Sequence, residues 1–216
     1  LYAAFIIPYP TVIVALIFAV VLVVRLKSLS RKQKGDMQSF WDREREAAVA
    51  PSADLSNLSY ITIPLDKFPL GICESDEAAM IEDELRALAT HRLLNLTGKT
   101  NTDLRLAYGA ANIKTMQQIS DDFDRVTVLL VDYAKALLEE GHTDGAATVL
   151  EFGAREKTDM RSNYTLLADI YESQGQAGKL LSLADSVEAL DYPWALKTAA
   201  DFRAHAEALK NENFSE

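Results

Sequence analysis

Up to Leu29 the apolar residues form one nearly unbroken run, and from Ser75 onward they recur at helical spacing. Val12 to Val24 is apolar all round and lacks the polar face of a surface helix. The 24 residues before Arg25 carry no charge. As a helix they would span about 36 Å, against roughly 30 Å of hydrocarbon. Pro8 and Pro10 suit a first helical turn. The pattern predicts a transmembrane anchor over residues 1–29. A cleaved signal peptide would place its bases in front and a small-residue cleavage site behind, whereas here the bases follow the apolar run.

Residues 30–74 read as a basic juxtamembrane linker followed by an extended strap. A short helix is expected around Phe40–Val49, with Phe40 and Trp41 either at the membrane interface or packed on the body. Tyr60, Ile61, Thr62 and Ile63 favour extended backbone, and Pro64 and Pro69 interrupt it, so 58–70 reads as a strap with at most one short strand.

The remainder, 75–216, is helical in pattern. Ser75 is placed to cap a helix whose stripe is Ile81, Leu85, Leu88 and Arg92, widened by Leu93 and Leu96 and stopped by Gly98. A second helical region, Asp103–Ile119, loses its period near Gly109. Ser120, Asp121 and Asp122 are expected to open the next helix, carrying Phe123, Val126, Leu130, Tyr133, Ala134 and Leu137, and Gly141 ends it. Asp144 is expected to cap a helix bearing Ala147, Leu150 and Gly153. The plan then repeats. Leu130/Tyr164, Tyr133/Leu167, Ala134/Ala168, Leu137/Tyr171 and Gly141/Gly175 are each 34 residues apart. The expected fold is all-α: one transmembrane helix, an extended strap and a domain of antiparallel helical hairpins.

A 34-residue helix–turn–helix period resembles the tetratricopeptide repeat. Small residues such as Ala134 and Ala168 let paired helices approach closely, and a glycine turns the chain between them. The resemblance covers units at about 127–160 and 161–194, with a capping helix at about 194–210. It departs from the family pattern at Leu180, where the first unit has Ala146, and at Thr158 and Tyr192, where the family places a proline. It implies a groove lined by the first helix of each unit, which would present Val128, Val131, Lys135, Leu138, Thr165, Asp169 and Glu172 to a peptide. Lys135 with Asp169 and Glu172 reads equally as a solvated ion-pair network. With two units, the groove either stays open or is filled by the strap. The basic and asparagine set of a carboxylate-clamp groove is missing. The wider layout, "FWDRERE", "YITIPLDKFPLG" and the repeat-like end, resembles small bacterial membrane-anchored proteins without an assigned function.

Charge sharpens the picture. Residues 1–34 hold no acid and five bases, Arg25, Lys27, Arg31, Lys32 and Lys34. The other 17 of the 22 bases face all 32 acids, leaving residues 35–216 at −15. So acidic a body repels phosphate backbones, which argues against nucleic acid as a partner. The membrane-flanking bases predict a cytoplasmic body and attract anionic lipid. The single cysteine, Cys73, excludes an intrachain disulfide.

Catalytic signatures are wanting. His91, His142 and His205 share no metal-ligand spacing, and Cys73 has no neighbouring base. "LNLTGKTNTD" lacks the first glycine of a phosphate loop, and the acids of "IEDELR" and "ISDDFD" lack calcium-loop spacing. Asn57, Asn95, Asn163 and Asn213 begin N-x-[ST] triplets and read as turn or cap residues. No enzyme, cofactor or metal is expected. The expectation is a membrane-tethered module that binds a protein or peptide, or alternatively a structural subunit of a membrane assembly held through its anchor.

Overall fold

The computed structural model of the chain describes Val14, Phe18, Val21, Leu22, Arg25 and residues 36–213. Their regular elements are helices: α1 (36–48), α2 (Asp76–Leu88), α3 (Asn101–Tyr108), a 3-10 turn (Ala110–Asn112), α4 (Ile113–Glu139), α5 (Thr143–Arg155), α6 (Arg161–Ser173), α7 (Ala177–Glu188) and α8 (Ala195–Asn213). Among the described residues the extended backbone forms only an isolated antiparallel bridge, Ile61 with Leu93. The anchor expected over 1–29 lies outside the described residues except for Val14, Phe18, Val21, Leu22 and Arg25, each helical and exposed. Lys27, Arg31, Lys32 and Lys34 also lie outside them. Among the described residues no helix is long and apolar enough to cross a membrane.

The chain divides into two compact units, Leu1–Ala53 with Thr100–Asn112, and Asp54–Lys99 with Ile113–Glu216. In the first, α1 is tied to α3 by side chains. Arg43 pairs with Asp103, and Arg105 donates to Glu44 at 2.9 Å. Thr100 caps α3 in a reciprocal capping box with Asp103, so "GKT" is a helix start rather than a phosphate cradle. Asn112 Nδ2 donates to the carbonyls of Ala53 and Tyr108, both at 2.8 Å. The chain passes so close at Gly109 (φ +90°) that a Cβ there would lie 2.4 Å from the Pro51 carbonyl oxygen. The break in helical period near Gly109 is therefore a tight crossing of two backbone segments.

In the second unit each helix from α4 to α8 packs on the next, and α4 with α6 and α6 with α8 also lie side by side. Short turns between such helices make neighbours antiparallel. α5 and α7 start at Thr143 and Ala177, and α6 and α8 at Arg161 and Ala195, in each case 34 residues apart. The turns repeat as well. His142 N–H donates to the Leu137 carbonyl at 2.7 Å, and Gln176 N–H to the Tyr171 carbonyl at 2.8 Å. Gly141 (φ +82°) and Gly175 (φ +64°) each occupy the left-handed position these turns require. Tyr133, Ala134, Leu137, Leu150, Tyr164, Leu167, Ala168, Leu180 and Ala184 all belong to one core.

Three boundaries differ from the pattern. α4 begins at Ile113, so Ser120–Asp122 lie inside it; Met116 and Ile119 are buried and extend its stripe. α2 stops at Leu88 instead of continuing to Gly98. Ile61 N–H takes the Leu93 carbonyl at 2.8 Å, and Asn95 Nδ2 donates to the carbonyls of Glu156 and Lys157 at 2.8 and 3.0 Å. These tertiary bonds hold 92–96 out of helix against its helical pattern. Asp144 sits in the first turn of α5 instead of capping it; the position before the helix is His142, without a side-chain cap bond.

Candidate functional site

The expected groove face comes from two neighbouring helices. Val128, Val131, Lys135 and Leu138 project from α4, and Thr165, Asp169 and Glu172 form one i, i+4, i+7 stripe on α6. Lys135 and Asp169 are exposed, while Val128, Leu138, Thr165 and Glu172 are half-buried. Val131 is only 1% exposed and belongs to the interior. Lys135 pairs along its own helix, with Asp132 at 2.8 Å. The acid stripe of α6 meets α8 instead, where His205 Nδ1 lies 3.0 Å from Glu172 Oε2. Partial burial, then the Glu172 charge, raises the Asp169 carboxyl above its ordinary range, and His205 partly offsets this. His205 thus joins the face, although its sequence context gave only an isolated histidine. The usable signal was that α8 starts 34 residues after α6.

The strap lies elsewhere. Phe68 meets Phe152 of α5 edge-on at 5.6 Å, and Pro69 fills the space that a side chain on Gly145 would need. Tyr133 Oη lies 2.6 Å from the Pro69 carbonyl oxygen and 2.8 Å from Glu82 Oε1, so one hydroxyl proton serves two acceptors. Glu82, 3% exposed, also accepts from Gly71 N–H at 2.7 Å and from Arg86 at 2.7 Å. Burial, then the bond to Glu82, pushes the Tyr133 phenol far up, so it stays a donor. Nearby Cys73 is held as the thiol, its pKa raised by burial and then by Glu140 and Glu82.

A cleft of about 450 Å³ opens between α5, α6 and α7. Its apolar floor includes Ala154, Leu167 and Leu183, and its rim carries Glu151, Arg155 and Lys179. Glu151 Oε1 accepts from Tyr171 Oη at 2.7 Å and from Lys179 at 3.3 Å, and Lys179 lies over the Tyr171 ring at 5.1 Å. The rim charges are therefore largely matched inside the protein. Nothing in the sequence pointed here, because Glu151, Tyr171 and Lys179 share no repeat position.

Among the described residues no group of three or more His, Cys, Asp or Glu side chains is gathered to hold a metal. His91 pairs with Asp122 at 3.0 Å, far in sequence from His142 and His205. Asn95 and Asn163 spend their amide nitrogens on backbone carbonyls, as structural residues do.

The second unit is an all-α array of helical hairpins with a strap on one side. No family model, curated protein or solved structure matches the chain.

Proposed function

We propose that the chain is a non-enzymatic, membrane-tethered interaction module. In this reading its tetratricopeptide-like hairpins bind a protein or peptide at the cytoplasmic face. The observation that carries it is the seating of the strap. With 58–70 held at α5, Tyr133 and Glu82, the α4/α6 face keeps Lys135 and Asp169 in solvent beside half-buried Val128 and Leu138. Partly covered apolar residues edged by charge suit a peptide groove. The 34-residue repetition of helix starts and of left-handed glycine turns supports the repeat reading.

The test is site-specific photo-crosslinking in membranes, with the crosslinker at Lys135 or, as control, at Ser186 on α7. One partner captured from Lys135 alone, and lost in Leu138→Glu or Thr165→Glu chains of unchanged helicity, supports the module. Equal capture from both positions overturns it. A second reading, a structural subunit of a membrane assembly, is favoured by the exposed Met37, Phe40 and Trp41. It predicts association that survives groove substitutions and depends on those three residues.

A further inference from the structure

A largely apolar stripe, interrupted by Glu44, runs along α1. Met37, Phe40, Trp41, Glu44, Ala47 and Ala48 fall on one side of a 3.6-residue helix. Its carboxyl half is covered within the first unit, where Ala47 is fully buried and Glu44 accepts from Arg105 and Thr102 of α3. Its amino half is not. Met37 is 58% exposed and Phe40 and Trp41 are each 53% exposed, and the two rings meet edge-on at 5.3 Å. The aromatic pair is thus in contact with itself and otherwise largely open.

The neighbouring sequence indicates what covers it. Immediately before α1 come five bases within residues 25–34, and the first acid of the chain is Asp36. Before those bases lie 24 uncharged, mainly apolar residues. Basic clusters beside an apolar segment attract anionic headgroups, and tryptophan favours the boundary between headgroup and acyl chain. Of the four acids of α1, Asp42 and Glu46 fall on the opposite side, Glu44 is engaged by Arg105 and Thr102, and Asp36 flanks Phe40 at the first position of the helix. A protein partner would accept the same rings, but an acid-free basic flank complements an anionic surface.

We infer that the Met37–Phe40–Trp41 face is a lipid-docking surface that seats α1 on an anionic bilayer interface. The inference rests on the anchored reading of the chain, and it adds a second membrane contact with its own chemistry. Docking by rings and docking by a span differ physically: the first is shallow and depends on headgroup charge, the second is deep and does not.

The full chain is reconstituted in vesicles of phosphatidylcholine with phosphatidylglycerol, or of phosphatidylcholine alone, with acyl chains brominated near the headgroup. Trp41 and Trp194 are the two tryptophans, so a Trp41→Phe chain supplies the Trp194 background. The expected result is a blue-shifted Trp41 emission that bromine quenches, more strongly with phosphatidylglycerol present. Unquenched Trp41 in a chain that resists alkaline carbonate overturns the docking surface while the anchor stands. Quenched Trp41 in a chain that carbonate releases supports docking and defeats the anchor. Equal quenching in both lipids overturns the anionic preference. A Trp41 that stays unquenched in the vesicles, while a photo-crosslinker at position 41 captures a protein in native membranes, assigns the face to a protein partner instead.

Discussion

Asn163 occupies the space beside Gly153 that a side chain would need: a Cβ built on Gly153 would lie 2.3 Å from Asn163 Oδ1. Asn163 is fully buried, and its Nδ2 donates to the Leu150 carbonyl at 2.9 Å, which pins the amide between α5 and α6. Two opposed effects follow for Gly153→Ala. Alanine is a better helix former by about 1 kcal/mol, whereas overpacking a fixed buried group costs about 1–3 kcal/mol. The contact is too short for the amide to absorb, so the substitution is expected to destabilise. In an Asn163→Ala background the sign should reverse. Urea denaturation of the four chains reads the coupling, and additive effects would contradict the assigned contact.

Tyr133→Phe should loosen the strap. The change removes the hydroxyl shared by the Pro69 carbonyl and Glu82, leaving a buried carboxylate short of a donor, at a cost of about 1–3 kcal/mol. Hydrogen exchange should show faster exchange at Leu70 and Gly71, with α6 and α7 little changed. Uniform loss of protection across all helices would mean that the bond serves the whole core instead.

Asn95→Asp should be among the more damaging single-atom changes. The amide nitrogen that donates to the Glu156 and Lys157 carbonyls would be replaced by a carboxylate oxygen facing two acceptors. The expected cost is about 1–2 kcal/mol, because Asn95 and Glu156 are half-buried and Lys157 exposed, so water relieves part of the lost bonding. Lys157 itself holds φ +57°, a position that costs an L-residue about 1–2 kcal/mol. Lys157→Gly should therefore raise the thermal midpoint. A drop would show that the lysine side chain contributes more than the backbone strain costs.

The stability of the body should carry a specific pH signature at Asp124. Although Asp124 is exposed as a residue, partial desolvation of its carboxyl, then Asp159 and Asp121, raises it above its ordinary value of 3.8. A raised acid binds its proton more tightly in the folded chain, so the folded state is favoured below 3.8 and that advantage is lost as pH rises through the folded value. Asp124→Asn should raise Tm at pH 7, with the gain shrinking as pH falls toward 3.8. A gain that persists unchanged in acid would assign the effect to something other than titration.

The hairpins were legible because their information is local. A 3.6-residue stripe, a glycine at each turn and a 34-residue period are carried by near neighbours in the chain, and the helix starts at Thr143, Arg161, Ala177 and Ala195 follow them. Local pattern misled where a distant partner competed for the backbone. Leu93 and Leu96 continue a helical stripe, yet the bonds of Leu93 to Ile61 and of Asn95 to the Glu156 and Lys157 carbonyls hold this segment out of helix. The residues expected to line a groove, Val128, Val131, Lys135, Leu138, Thr165, Asp169 and Glu172, lie on α4 and α6, with Val131 turned into the interior. The sequence could not foresee that Lys135 would turn to Asp132 or that His205 would meet Glu172.

The sequence by itself determined an all-helical fold, its repeat period and its division into a basic, uncharged-then-cationic front and an acidic body. These depend on residue type and spacing, which need no knowledge of the third dimension. Tertiary structure alone decided that the strap seats on α5, that Glu82 and Tyr133 share a buried bond, and that Phe40 and Trp41 face outward. Each of these depends on which surfaces distant segments leave uncovered after packing, and a one-dimensional pattern does not carry that information.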